Sequence, residues 1–142
     1  MRRATFLLAF PALIGACSET PPPPDLQAGA RIYAQHCASC HGMRLEGQPN
    51  WRQRLANGRM PAPPHDESGH TWHHPDEVLF GITKHGLVPP YAPTGYASDM
   101  PAFAETLSDA QIRDVLAWIA SHWKSREVRE ARAEMMRSAR KP

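Results

Sequence analysis

Two thiols and an imidazole lie within five positions of the chain, as Cys37, Cys40 and His41 in the order C-x-x-C-H. Thiols three positions apart on one helical turn can each add to a vinyl group of the same porphyrin, and the imidazole that follows then lies over the iron as an axial ligand. The same short pattern also occurs in thiol redox pairs and in half of a zinc site. These residues favour one covalently attached c-type haem, and the rest of the chain has to supply a second axial ligand and a core.

The second axial ligand is sought among the methionines, because a thioether opposite a histidine closes the sixth position of the iron and raises the haem reduction potential. Met60 and Met100 are each followed by a proline, which stiffens the approach of the side chain. We predict Met100, since a loop between two helices can wrap to the opposite face of the haem, with Met60 as the fallback. The carbonyl of Pro49 is expected to accept the N–H of His41 and fix its ring.

A further group of potential ligands is the segment from His65 to His74, which holds four of the eight histidines. With Met60 as a soft additional ligand, this segment could bind copper or zinc. His70 and His74 have the spacing that brings two imidazoles to one face of a helix, but a glycine before them and a proline after them predict a loop. We therefore interpret these histidines as groups that cap, hydrogen-bond across a loop or meet the haem propionates.

The elements that position these residues are predicted to be helices joined by loops rich in proline and glycine, which makes the fold class all-α with three to five helices. Asp25 is a candidate N-cap, and Gly29 in the first helix indicates that another helix crosses close to it. Ser108 and Gln111 form a capping box for the last helix. The predicted helices run from Asp25 to the C-x-x-C-H motif, from Asn50 to Leu55, from Pro75 to about Gly86 and from Ser108 to Trp123.

The chain of 142 residues is long enough for one small domain, and 15 prolines with 9 glycines predict many loops. An apolar haem at the centre would complete the limited core of such a domain. Residues 18–123 hold seven Lys or Arg and eleven Asp or Glu, whereas residues 124–142 hold seven and three. The acidic body argues against nucleic-acid binding. The basic tail, residues 124–142, is expected to be a helical extension that faces solvent.

The beginning of the chain is typical of an export signal, because two arginines precede an apolar run over residues 4–16 that is too short to cross a bilayer. The run ends in IGAC at Cys17, which resembles the lipobox of bacterial lipoproteins. We expect residues 1–16 to be a signal peptide and residues 17–24 to be a lipidated cysteine with a proline-rich linker. The location is then the periplasmic side of a bacterial membrane, or the free periplasm if Cys17 carries no lipid.

Several stretches between residues 25 and 123 match one protein family. They are Gly29 and Tyr33, Cys37-Ala38-Ser39-Cys40-His41-Gly42, Pro49, Met100-Pro101-Ala102-Phe103 and Leu116-Ala117-Trp118-Ile119. Together they resemble the single-haem class I cytochromes c of bacteria, in a lipoprotein form. The resemblance implies a cytochrome c domain over residues 25–123, with N- and C-terminal helices that cross, one haem c, and His41 and Met100 as axial ligands. The histidine-rich segment and Met60 lie outside the family pattern.

The expected function is one-electron transfer by an iron that cycles between Fe(III) and Fe(II), without substrate chemistry of its own. The protein would work alone or as a subunit of a larger oxidoreductase, with a redox donor and a redox acceptor as partners. One alternative is a haem enzyme or sensor with an open or labile sixth position that meets peroxide or a small gas. Another is a periplasmic copper-handling protein built on the segment from His65 to His74.

Overall fold

The chain folds into helices joined by long loops, and a computed structural model describes residues 22–140. Within that range there is no β-strand, which confirms the predicted all-α fold. A short 3-10 helix covers Thr71–His73. The α-helices are α1 (Leu26–His36), α2 (Ala38–His41), α3 (Asp76–His85), α4 (Asp109–Ala120) and α5 (Arg126–Ala139).

The proline-rich linker enters the described range at residue 22, and residues 22–24 are exposed and belong to no helix or strand. The predicted signal peptide, residues 1–16, and Cys17 lie outside the described residues. None of the helices between residues 22 and 140 is long and apolar enough to span a membrane.

Helices α1 and α4 cross with their backbones in direct contact at Gly29. A Cβ atom at this position would lie 2.2 Å from the carbonyl oxygen of Asp114 in α4, which is too close for any side chain. The N–H of Asp25 also donates to the carboxylate of Asp114 at 2.8 Å. The carboxylate of Asp25 in turn accepts two backbone N–H groups of the first turn of α1, at 2.8 and 3.0 Å. The predicted N-cap and the predicted helix crossing are both confirmed.

The core is built on the faces that α1 and α4 turn toward each other. Tyr33, Ile112 and Val115 are the largest fully buried side chains, and burying an aliphatic side chain of this size contributes about 1.5–3 kcal/mol. α4 begins at the predicted capping box: the N–H of Gln111 donates to the hydroxyl of Ser108 at 3.3 Å, and the N–H of Ser108 donates to the amide oxygen of Gln111 at 2.8 Å.

Helix α3 follows its prediction to within one residue. Pro75 is the N-cap and lies just before the helix, Asp76 and Glu77 place negative charge at its first turn, and Gly86 ends it with a φ of 80°. These boundaries depend on local sequence alone, which explains why they could be predicted.

The loop after α2 forms turns between residues 50 and 55, so the prediction of a short helix there is wrong. Asn50 has a φ of 56°, in the left-handed region that asparagine tolerates better than most residues. The N–H of Gln53 donates to the carbonyl of Asn50 at 2.7 Å and closes a turn. The left-handed residue reverses the chain at the point where a right-handed helix would have to begin.

The basic tail forms a helix and most of its residues are exposed, but the expectation of an extension that only faces solvent is wrong at Val128 and Arg132. The chain turns after Trp123 and starts a separate helix, α5, whose Val128 is 6% exposed and joins the core. Glu67 accepts the N–H groups of Lys124 and Ser125 ahead of α5, the latter at 2.7 Å. These contacts fasten α5 to the histidine-rich segment, and the polar composition of the tail concealed them.

The side chain of Arg132 makes the second connection between α5 and the histidine-rich segment. Its guanidinium donates to the carbonyls of Trp72 and His74 at 3.2 and 2.9 Å and pairs with Asp76. It also lies over the ring of Trp123, 4.6 Å from the centroid. With only 15% of the side chain exposed, Arg132 is an anchor of α5 and not a solvated charge.

Candidate functional site

The C-x-x-C-H motif lies where α1 gives way to the single turn of α2. The N–H of His41 donates to the carbonyl of Cys37 at 2.9 Å, so both thiols and the imidazole are carried by one helical turn, as predicted. Both cysteines are free thiols; Cys37 is partly buried and Cys40 is exposed. Gly42, with a φ of 80°, ends this turn and lets the chain reverse.

The acidity of Cys37 distinguishes between two interpretations of the cysteine pair. Burial, followed by the effect of nearby Cys40, raises the pKa of the Cys37 thiol to about 11. Reactive C-x-x-C redox pairs instead have a thiol whose pKa is depressed, because the thiolate is the nucleophile. The burial of Cys37 therefore argues against this thiol as the nucleophile of a redox pair.

The imidazole of His41 is held in the form that an iron ligand requires. It is 8% exposed, and its Nδ1 lies 2.8 Å from the carbonyl oxygen of Pro63. A carbonyl can only accept, so Nδ1 carries the proton and the lone pair is on Nε2. Burial lowers the pKa of His41 and keeps the ring neutral, although the bond to Pro63 acts in the opposite direction. Among residues 22–140 the ring makes no other hydrogen bond. The lone pair of Nε2 is therefore available to coordinate a metal.

The carbonyl partner of His41 is Pro63 and not Pro49, which corrects the prediction. The chain after α2 runs beside the proline-rich stretch that follows Met60. The N–H of Gln48 donates to the carbonyl of Ala62 at 2.9 Å, and the N–H of Ala62 donates to the side chain of Gln48 at 2.8 Å. This pairing brings the carbonyl of Pro63 to His41. The available signal was the run of prolines over residues 61–64, whose rigid extended backbone is suited to presenting a carbonyl.

Tyr33 and His65 are two further neighbours of His41 that the motif did not reveal. The buried hydroxyl of Tyr33 donates to the carbonyl of Gly42 at 2.8 Å and so fixes the turn after His41. Burial raises the pKa of Tyr33, so this hydroxyl keeps its proton. The ring of His65 stacks on the ring of His41, with centroids 3.9 Å apart. Burial, with smaller contributions from His41 and His70, holds the pKa of His65 well below its usual range.

Met100 lies in a loop that is pinned to the end of α3. Its own N–H donates to the hydroxyl of Ser98 at 3.0 Å, and downstream the N–H of Phe103 donates to the carbonyl of Thr83 at 3.1 Å. The Met100 side chain packs against the buried core. Arg59 donates to the carbonyl of Ser98 at 3.0 Å, which brings the segment that carries the other candidate methionine up to the Met100 loop.

The remaining histidines of the histidine-rich segment, His70, His73 and His74, lie in or next to the 3-10 helix. The rings of His70 and His74 are 5.4 Å apart, and His70 also stacks on Trp51 at 5.2 Å. Burial, followed by charge on neighbouring histidines, lowers the pKa of both His70 and His74. In the part of the chain that the structure describes, no three His, Cys, Asp or Glu side chains are grouped so that they could hold a metal ion.

Comparison with known proteins identifies the family. The family described as "Cytochrome C oxidase, cbb3-type, subunit III" matches residues 24–119, which is more than half of the chain and includes both the C-x-x-C-H motif and Met100. The chain belongs to this cytochrome c family. The resemblance seen in the sequence is thereby confirmed at the level of the family, while the single-haem class and the lipoprotein form stay predictions.

The cytochrome is also similar to the gluconate 2-dehydrogenase cytochrome c subunit of Pantoea cypripedii. The two are 29% identical over 99 residues, which cover 70% of this chain and 21% of that subunit. The chain therefore spans about a fifth of the length of this relative. No solved structure matches the cytochrome.

The family implies a c-type haem, and the residues present fit it. Cys37 and Cys40 offer two free thiols on one turn, and His41 offers a neutral imidazole whose Nε2 lone pair is unengaged. These are the groups needed for two thioether bonds and one axial bond.

Proposed function

We propose that this cytochrome is a one-electron carrier with one haem, held by thioethers at Cys37 and Cys40 and ligated by His41 and Met100. The observation that carries the proposal is the fixed state of His41: its Nδ1 proton is bound by the carbonyl of Pro63 at 2.8 Å, so Nε2 faces away from that bond as a permanent lone-pair donor. When bound, the haem supplies the Fe(III)/Fe(II) couple.

The protein's part in electron transfer is to hold the ligands still and to keep water away. A carrier works best when little has to rearrange as its charge changes, and the buried bonds of His41 and Tyr33 restrain the proximal side in this way. The buried side chains of Leu45 and Phe103, 2% and 7% exposed, exclude water from the surrounding core. No side chain is required to move a proton or to bind a substrate.

Met100 is preferred as the second ligand because its side chain packs against the core and its loop is tied to α3. Met60 is a second candidate, favoured by the contact of Arg59 with the Met100 loop, which places both methionine segments on one part of the surface. An opening at the sixth position would instead make the protein an enzyme or sensor for peroxide or a small gas.

The proposed setting is the periplasmic side of a bacterial membrane, with a lipid on Cys17. The partners are a redox donor and a redox acceptor. Similarity to a cytochrome subunit of a dehydrogenase supports a role beside a larger oxidoreductase, with the cytochrome itself carrying electrons only.

The test is the optical spectrum of the purified, haem-loaded protein with two matched variants. The ferric protein is expected to show the charge-transfer band of a methionine-ligated iron, lost in Met100→Ala and retained in Met60→Ala. Loss of the band in Met60→Ala alone would assign the ligand to Met60. High-spin iron in the unmodified protein would overturn the carrier and support the enzyme or sensor, and absence of covalent haem would overturn the cofactor itself.

A further inference from the structure

The ring of His65 covers one face of the His41 imidazole. The two centroids are 3.9 Å apart and the planes are inclined by 24°, which is a parallel stack. His65 and His41 are 24 positions apart in the sequence, so the tertiary fold brings their rings together. A second contact of the His41 ring, the bond from Nδ1 to Pro63, lies at its edge.

The side chain of His65 is fixed by its own hydrogen bonds. Its Nδ1 lies 2.9 Å from the hydroxyl of Thr71, and that hydroxyl donates to the carbonyl of Pro64 at 3.3 Å. Because the single hydroxyl proton is used at Pro64, Thr71 accepts the proton of Nδ1. Thr71 is itself buried, with 6% exposed. The orientation of the His65 ring is therefore set by a relay of two bonds within one loop.

The backbone of His65 is held from two other parts of the chain. Its N–H donates to the carbonyl of Leu45, just beyond the C-x-x-C-H turn, at 2.8 Å. Its carbonyl accepts the indole N–H of Trp123 at 2.9 Å. Tyr33 meets the ring edge-on, with centroids 6.2 Å apart. Because these contacts hold His65 in place, its ring can in turn restrain the His41 ring on which it is stacked.

Two contacts restrain the rotation of the His41 ring about its Cβ–Cγ bond. The bond to Pro63 limits this rotation, but a single hydrogen bond can lengthen or bend as the ring turns. A flat group against the face of the ring narrows the same rotation, because a turning ring would collide with it. The same short segment supplies both restraints, since His65 follows Pro63 by two residues.

We propose that His65 is a positioning residue for His41, which fixes the rotation of the His41 imidazole about its Cβ–Cγ bond. The inference rests on the proposed ligation of the haem by His41. Its consequence is a single orientation of the axial imidazole plane, a property on which the electronic structure of a low-spin ferric haem depends.

The experiment is proton NMR of the haem-loaded ferric protein, because the order of the haem methyl resonances reports the orientation of the axial imidazole. His65→Leu fills the buried space with an apolar side chain and removes both the flat ring and the bond to Thr71, whereas His65→Phe keeps a flat ring and loses only that bond. His70→Leu is the matched control, since His70 belongs to the same segment but stacks on Trp51. His65→Leu is expected to reorder or double the methyl resonances and to speed exchange of the His41 Nδ1 proton. His65→Phe, which keeps a flat ring but loses the bond that orients it, should broaden the methyl resonances without reordering them. His70→Leu should resemble the unmodified protein.

Methyl resonances and proton exchange unchanged in His65→Leu would overturn the inference. If His65→Leu does not fold or does not take up haem, Thr71→Val decides, because it keeps the stacked ring and removes only its hydrogen-bond partner. A doubled or broadened methyl set in Thr71→Val supports the role of His65, and a spectrum identical to that of the unmodified protein refutes it. Failure of the proposed function is distinct, since it appears in the unmodified protein as missing haem or as an iron without histidine ligation.

Discussion

Replacing Gly29 with alanine tests the helix crossing on which the cytochrome is built. The new Cβ atom would lie 2.2 Å from the carbonyl oxygen of Asp114 and 2.8 Å from the Cβ atom of Trp118. Carbon atoms in contact are about 3.5–4.0 Å apart, so α1 and α4 have to separate by about 1 Å. Overpacking lowers the free energy of unfolding by about 1–3 kcal/mol. The loss for Gly29→Ala should be near the upper end, because the backbone atoms of Asp114 cannot move without the helix. Alanine returns about 1 kcal/mol through its better helix propensity. The net loss is about 2 kcal/mol.

Thermal unfolding of the haem-loaded protein measures this loss. For a domain near 100 residues, about 2 kcal/mol lowers Tm by roughly 8 °C or more. Gly81→Ala in α3 is the matched control: a Cβ atom there would lie 2.0 Å from Tyr91, but the atom it meets is the far end of a side chain that can move. Gly81→Ala should therefore stay within about 1 kcal/mol of the unmodified protein. Equal losses in the two variants, or a Gly29→Ala protein of unchanged Tm, would refute the close crossing.

Two further predictions concern the attachment of α5. Arg132→Gln should lower the free energy of unfolding by about 1–3 kcal/mol, because it removes hydrogen bonds from a charged, mostly buried group, and should speed hydrogen exchange in α5. Arg126→Gln, which breaks only an exposed pair with Glu130, should change stability by less than about 0.5 kcal/mol; equal effects would contradict the anchoring role of Arg132. Glu67→Gln should destabilise the protein at pH 7 but not in acid. The hydrogen bond from the N–H of Ser125 is the main cause that holds the pKa of Glu67 below its ordinary value of 4.5. The carboxylate therefore stabilises the folded state above pH 4.5. This stabilisation is lost as the pH falls through the lower pKa of the folded state. Denaturant unfolding at several pH values checks this, and a difference between variant and unmodified protein that persists at low pH would contradict it.

Much of the fold could be predicted because it depends on local chemistry. Asp25, Gly86 and the Ser108 capping box act on backbone groups within a few residues, and helical periodicity shows which faces are buried. The crossing at Gly29 could also be predicted, since a glycine inside a helix has a cost that close packing explains.

The surroundings of His41 could not be predicted in the same way, because they depend on contacts between distant segments. The choice of Pro63 over Pro49 follows from the pairing of Gln48 with Ala62, which no local pattern indicates. The stack of His65 was concealed because a histidine among other histidines suggests metal binding. The attachment of α5 depends mainly on Arg132 and Glu67, whose partners are largely backbone groups, and a hydrophobicity pattern does not register such contacts.

The bond from Trp123 to the carbonyl of His65 has a consequence for the order in which the cytochrome acquires its structure. It joins residues 58 positions apart, and contacts of such separation form late because a long loop has to close first. During synthesis the cysteine motif and Pro63 leave the ribosome well before Trp123 and the residues that Glu67 caps. The contacts that hold His65 against His41 are therefore completed only when the segment around Trp123 folds back onto the histidine-rich segment. The C-x-x-C-H motif can form its own helical turn before that, because the bond from the His41 N–H to the carbonyl of Cys37 joins residues only four positions apart.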